Sequence, residues 1–168
     1  PDLCATSTLG RDHLDYRLWV VAPTAEKAAD ALRTAAPVKA GRRPSLAFMF
    51  SGQGSQQAGM GRDLFASEPV FRDAINACEQ GLRPLLDTPL TDIMFRGSKS
   101  LDATINTQPC LFALHYALWR LWRSWGVEPD MVLGHSIGEY AAACAAGVFN
   151  LADGLRLVAS RGRLMQSL

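Results

Sequence analysis

One stretch constrains this chain more than any other: Val132-Leu133-Gly134-His135-Ser136-Ile137-Gly138-Glu139-Tyr140. It holds a G-x-S-x-G pentapeptide. The apolar run Met131 to Leu133 leads into it, and the alanine-rich segment Tyr140 to Ala146 leads out. Strand, sharp turn and helix in that order are the context a nucleophile elbow requires. So tight a turn leaves no room for side chains two positions either side of the serine, which accounts for Gly134 and Gly138. Ser136 is then expected to project at the start of a helix, where backbone N–H groups and the positive helix end can meet a developing oxyanion. Glycine is common here, 14 residues of 168, so the pentapeptide alone could be accidental; the flanking strand and helix are what give it weight.

An α/β fold follows from the other segments. Leu46-Ala47-Phe48-Met49-Phe50 is an unbroken apolar run, the pattern of a parallel strand covered on both faces. It ends in Ser51-Gly52-Gln53-Gly54-Ser55-Gln56-Gln57, too polar and glycine-rich for core. No G-K-[ST] follows, so a phosphate loop is not indicated. Either it is a flexible turn, or its backbone approaches a ligand closely, which glycine permits. Helical periodicity predicts a helix over about residues 69–82, with Val70, Phe71, Ala74, Ile75, Cys78 and Leu82 as its apolar stripe. Residues 81–97 read as turn-rich. A longer helix is expected to open at Thr107-Gln108-Pro109, with Pro109 in its first turn, Leu111, Leu114, Leu118, Leu121 and Trp125 on one face, and Gly126 ending it. Trp119 and Trp122 read as packing aromatics and His115 as a partly exposed helix residue. A last helix is expected to start near Asn150, with Asp153 three residues on as in a capping box. Leu151, Leu155, Val158, Gly162 and Met165 share its apolar face. At about 100° per residue, Arg161 falls at the edge of that stripe while Arg156 and Arg163 point away.

Residues 1–43 read as a small separate α/β unit. Tyr16 to Val21 has strand composition, Thr24 is the expected N-cap of a helix, and 35–44 reads as a linker. Asp12, His13 and Asp15 read as a solvated turn. The chain begins without methionine and stops within a helical pattern, so both ends are expected to be cuts in a longer polypeptide.

Charge and composition exclude some partners. With 17 basic and 16 acidic residues, net charge +1, nothing argues for nucleic acid or a membrane surface. No run reaches transmembrane length, no signal peptide is evident, and a cytoplasmic location is expected. Cys4, Cys78, Cys110 and Cys144 are scattered, which favours reduced thiols over disulfides or a metal site.

Four motifs occur in order: Ser51-Gly52-Gln53-Gly54-Ser55-Gln56 with Gly59-Met60-Gly61; Thr107-Gln108-Pro109; Gly134-His135-Ser136-Ile137-Gly138-Glu139-Tyr140; and Arg161-Gly162-Arg163-Leu164-Met165-Gln166. Together they resemble the malonyl-CoA:acyl carrier protein acyltransferase family, and within it the acyltransferase domain of a modular type I polyketide synthase. The resemblance implies an α/β-hydrolase-like parallel sheet with flanking helices over residues 44–168. That part would be the N-terminal portion of the domain, lacking the family's ferredoxin-like subdomain. Residues 1–43 resemble the end of the linker from a preceding ketosynthase. It implies that Ser136 attacks malonyl-CoA and carries the acyl group as an ester to the phosphopantetheine thiol of an acyl carrier protein, with no resident cofactor. The backbone N–H groups of Gln53 and Ile137 would form the oxyanion hole. Arg161 would clamp the extender carboxylate, and Gln108 and His135 would line the substrate pocket. Ile137 resembles the malonyl type, where methylmalonyl-selective domains usually have glutamine, and its side chain is expected beside the acyl group. The family's catalytic histidine lies further downstream than Leu168, so the missing half of the domain is an expected partner and these residues alone are expected to be nearly inactive. Two other readings stay open: a serine esterase, which leaves Gln53, Gln108 and Arg161 unexplained as a set, and a non-catalytic piece of an acyltransferase.

Overall fold

A computed structural model describes residues 2–96 and 99–168. They fall into two compact units divided between Pro44 and Ser45.

The first unit contains helix α1 (Asp2–Leu9), strand β1 (Tyr16–Arg17), helix α2 (Ala25–Thr34) and strand β2 (Val38–Lys39). β1 and β2 pair antiparallel, Tyr16 opposite Lys39. Thr24 caps α2 as expected, its hydroxyl accepting from the Lys27 N–H at 3.3 Å. The strand expected from Tyr16 to Val21 is only two residues long, and β2 lies in the segment read as linker. A helix at α1 was not expected at all. Asp12, His13 and Asp15 are exposed.

In the second unit, β3 (Ala47–Phe50) and β4 (Met131–Gly134) pair in parallel, Phe48 opposite Val132 and Phe50 opposite Gly134. The helices are α3 (Arg62–Ser67), α4 (Pro69–Leu82), α5 (Leu90–Arg96), α6 (Thr104–Ser124), α7 (Gly138–Ala145) and α8 (Leu151–Gln166). α6 is the central element, packed on α4, α7 and α8. The core between them holds Phe71, Ile75, Leu111, Phe112, Leu155 and Val158, each at most 2% exposed. α4 buries the stripe read from its periodicity except Val70, which is half-buried. Asn150 caps α8, its side chain accepting from the Asp153 N–H at 2.9 Å while its amide reaches back to the Asp153 carboxylate.

Several expectations are corrected here. β3 is not covered on both faces: Phe50 is 7% exposed whereas Met49 is 78%, and Leu133, paired with Met49, is 61%. Strand side chains alternate between faces, and the described helices cover one of them. α5 occupies part of the segment read as turns; Leu90, Ile93 and Met94 follow an i, i+3, i+4 stripe and are all buried. α6 begins three residues before Thr107, so Pro109 lies inside the helix. Pro109 has no N–H for the Ile105 carbonyl four residues back. Gly162 of α8 packs at that place, where an added Cβ would come within 3.2 Å of the Ile105 oxygen. Trp122 and Trp125 are half exposed and meet edge to face rather than filling the core, and Met165 at the end of α8 is exposed.

Candidate active site

The turn after β4 places Ser136 at φ 54°, the left-handed region, the one described non-glycine residue with positive φ. Such a conformation costs of order 1–3 kcal/mol and persists only where its surroundings enforce it. The surroundings are visible at the two glycines. A Cβ on Gly134 would collide with the Glu139 amide, and one on Gly138 with the Phe50 carbonyl, with Ser51 O only 2.7 Å away. The elbow therefore folds back on itself and presses α7 onto the end of β3. His135 N–H donates to the Phe50 carbonyl at 3.0 Å, tying the elbow to that strand.

Arg161 reaches this turn from α8, donating through Nη2 to Ser136 Oγ at 3.1 Å. Its guanidinium also lies over the Tyr140 ring, 5.7 Å from the centroid. Helix geometry singled out Arg161 of the three arginines, and its neighbours Arg156 and Arg163 are exposed, Arg156 pairing with Asp153. A guanidinium is a fork of N–H donors with no acceptor. It can hold an anion beside Ser136, but it cannot take the serine's proton.

Gln108 is fully buried, its Nε2 3.5 Å from Gln53 Oε1 and 3.3 Å from Met165 Sδ, and its Oε1 has no partner. Gln53 in turn donates to Thr104 Oγ1 at 3.2 Å. So the structure brings together Ser136 with Arg161, and Gln53 with Gln108. Among the described residues, no acceptor takes the N–H of Gln53 or of Ile137. Both amides remain able to donate. The Ile137 side chain, in contrast, is 0% exposed within the apolar core. It does not stand open beside an acyl group, because the residue after an elbow serine enters the helix and turns inward. His135 is exposed and packs against Gly52, where a Cβ would lie 2.5 Å from its Nδ1.

His115, read from the sequence as a partly exposed helix residue, is instead buried, because the face of α6 that carries it packs on the end of β3. It is 7% exposed, and burial pushes its imidazole down to about 4. Its Nε2 lies 3.1 Å from Ser51 Oγ. The signal was present: Gln108, Leu111, Phe112 and His115 follow i, i+3, i+4, i+7 spacing, and all four are buried. Among the described residues no cluster of His, Cys, Asp or Glu could hold a metal ion. No described helix is long and apolar enough to cross a membrane. The four thiols are free.

Comparisons with known proteins show the family. A family model described as an acyl transferase domain matches residues 47–168. The PKS-NRPS hybrid synthetase acdB of Aspergillus candidus is 52% identical over 130 residues, 74% of this chain and 5% of that protein. The erythronolide synthase EryA2 of Saccharopolyspora erythraea is 43% identical over 169 residues, 92% of this chain and again 5% of the relative. Among solved structures, the acyl transferase domain of ZmaA aligns with a TM-score of 0.87 at 33% identity, covering 95% of this chain and 40% of that one. The chain thus spans a small part of the synthases it matches and well under half of the solved domain.

Proposed function

We propose that this chain, which belongs to the acyl transferase domain family and has its α/β-hydrolase-like fold, loads a malonyl unit from CoA onto an acyl carrier protein in polyketide assembly. The observation that carries the reading is the 3.1 Å contact between the Arg161 guanidinium and Ser136 Oγ. An esterase has no need of a fixed cation at its nucleophile. A transferase of malonyl does, since that acyl group keeps a free carboxylate only a few bonds from the ester oxygen, within reach of this arginine. A planar guanidinium suits a carboxylate bidentately.

The proposed chemistry runs in two halves. Ser136 Oγ attacks the thioester carbonyl of malonyl-CoA and its proton passes to a general base. The carbonyl oxygen becomes negative and is met by the N–H groups of Ile137 and Gln53. As the intermediate collapses, the base passes that proton to the departing CoA sulfur and a malonyl ester is left on Ser136. The phosphopantetheine thiol of the carrier protein then attacks that ester, giving its proton to the same base, which returns it to Ser136 Oγ as the serine leaves. Gln108 and His135 line the pocket. The base is a histidine downstream of Leu168, as the family resemblance implies. Two features support that assignment: Ser136's described partner is a donor, and the Met49–Leu133 face of the sheet is open for further structure. Residues 1–43 are assigned to the end of a ketosynthase linker.

Mass spectrometry after incubation with malonyl-CoA tests this. We expect a malonyl adduct on Ser136 when the downstream half is supplied, none in Ser136→Ala, almost none from residues 1–168 alone, and malonyl chosen over methylmalonyl in competition. Turnover of simple esters with no adduct would favour an esterase. No adduct under any condition would favour a non-catalytic piece.

A further inference from the structure

The turn that carries Gln53 hangs on a chain of hydroxyls ending at a buried histidine. His115 stands within α6, its ring meeting Phe50 edge-on with centroids 5.7 Å apart. From its Nε2 the chain runs 3.1 Å to Ser51 Oγ and a further 2.9 Å to Ser55 Oγ; the Ser55 hydroxyl donates to the Gly52 carbonyl at 2.9 Å.

Proton counting sets the direction of this chain. Each hydroxyl has a single proton to donate. Ser55 gives its own to Gly52, so Ser51 donates to Ser55 and receives from His115. The imidazole is therefore the Nε2–H tautomer. Its Nδ1 is buried with no partner, which leaves a bare lone pair rather than a bare N–H. The other tautomer would bury an unpaired N–H, and Ser51, with one proton to give, could then keep its bond to His115 or to Ser55 but not both, a worse arrangement on both counts. From the opposite side, Gly52 is packed against His135 so closely that no Cβ fits. The turn is held between α6 and the elbow.

We propose that His115 is a positioning residue: its Nε2–H, acting through Ser51 and Ser55, fixes the Ser51-Gly52-Gln53 turn so that the Gln53 N–H is presented to the oxyanion. This rests on the acyl-transfer reading above. His115 makes no described hydrogen bond to Ser136, so it acts on the chemistry only through the turn. Its loss should lower the rate of Ser136 acylation and leave the KM for malonyl-CoA nearly unchanged.

Single-turnover acylation of Ser136 by malonyl-CoA in the protein with its downstream half tests the proposal. His115→Leu keeps the bulk and removes the donor. Deleting an oxyanion donor costs about 10²–10³-fold, so displacing one should cost roughly 10- to 100-fold. His115→Gln places an amide N–H near the Nε2 position and should recover to within about threefold of wild type on the same scale. Ser51→Ala should fall as His115→Leu does, and the double variant no further, because both cut one chain. Equal losses in His115→Leu and His115→Gln, or additive losses in the double variant, would overturn the proposal. Nitrogen spectra of labelled histidines give a readout independent of activity: we expect the Nε2–H tautomer, and Nδ1–H would sink the idea. If the wild type never acylates Ser136, the acyl-transfer reading falls. In that case the tautomer, together with loss of hydrogen-exchange protection at Ser51 to Ser55 in His115→Leu, still decides whether His115 holds the turn.

Discussion

Replacing Gly138 by alanine puts a methyl group against the backbone of β3. It would collide with the Phe50 carbonyl oxygen and lie 2.6 Å from the Phe50 carbonyl carbon and 2.7 Å from Ser51 O. An ordinary carbon contact needs about 3.5 Å, so the start of α7 must withdraw by more than about 0.9 Å, since that distance clears the carbonyl carbon but not the nearer oxygen. Neither side can yield by rotating a side chain, since both colliding groups are backbone. Overpacking of this kind costs about 1–3 kcal/mol, sometimes more, and we expect the upper end. The same displacement carries Ser136 away from the Ser51–Gln53 turn, and a shift near 1 Å can cost about 10²-fold in rate. Gly147→Ala is the control. Gly147 has φ +76° with nothing within 4 Å of an added Cβ, so it should cost only the left-handed penalty of about 1–2 kcal/mol. Urea denaturation of both variants, with acylation of Ser136 measured in parallel, separates close approach from backbone conformation. If Gly138→Ala is no less stable than Gly147→Ala and acylates at the wild-type rate, the account of the elbow given above is wrong.

Arg161→Ala should slow malonyl transfer by about 30- to 1,000-fold, as loss of charge-assisted hydrogen bonds worth about 1.5–3 kcal/mol each implies. Acetyl transfer should be largely spared, and Arg156→Ala and Arg163→Ala should change little; equal loss for both acyl groups would make Arg161 structural. His115 gives stability a pH dependence, because desolvation, with no charged group contributing, lowers it from 6.5 to about 4. Unfolding then takes up a proton between those values. Stability should be level above about pH 6.5 and fall as pH drops toward 4, by up to about 3 kcal/mol for the 2.5-unit difference. Urea titrations at several pH values should show this slope in wild type and lose it in His115→Gln; a shared slope would refute the assignment. Asn150→Ala removes the cap of α8 and should cost about 1 kcal/mol, read as a shift in the urea midpoint with acylation nearly intact.

Local chemistry was legible in the residues because it depends on neighbours in sequence. G-x-S-x-G between an apolar run and an alanine-rich helix announced the elbow. Asn150 and Thr24 announced their caps, and 3.6-residue spacing put Arg161 at the edge of its stripe and gave most of the α4 core. Elements with mixed signals were misread: α5 hides between proline and glycine turns although Leu90, Ile93 and Met94 keep helical spacing, and α6 runs through Pro109 where a start was expected. What no local pattern could supply is which faces meet. Met49 and Phe50 are both large and apolar, yet one is exposed and the other buried, because only tertiary packing decides which face of the sheet receives helices. The same holds for Ile137, whose side chain turns into the core once α7 packs on β3. It holds for His115 too, which is buried and tied to Ser51 across 64 positions of sequence. Burial and partnership between distant residues are properties of packing, and packing alone converted a list of candidate side chains into a site.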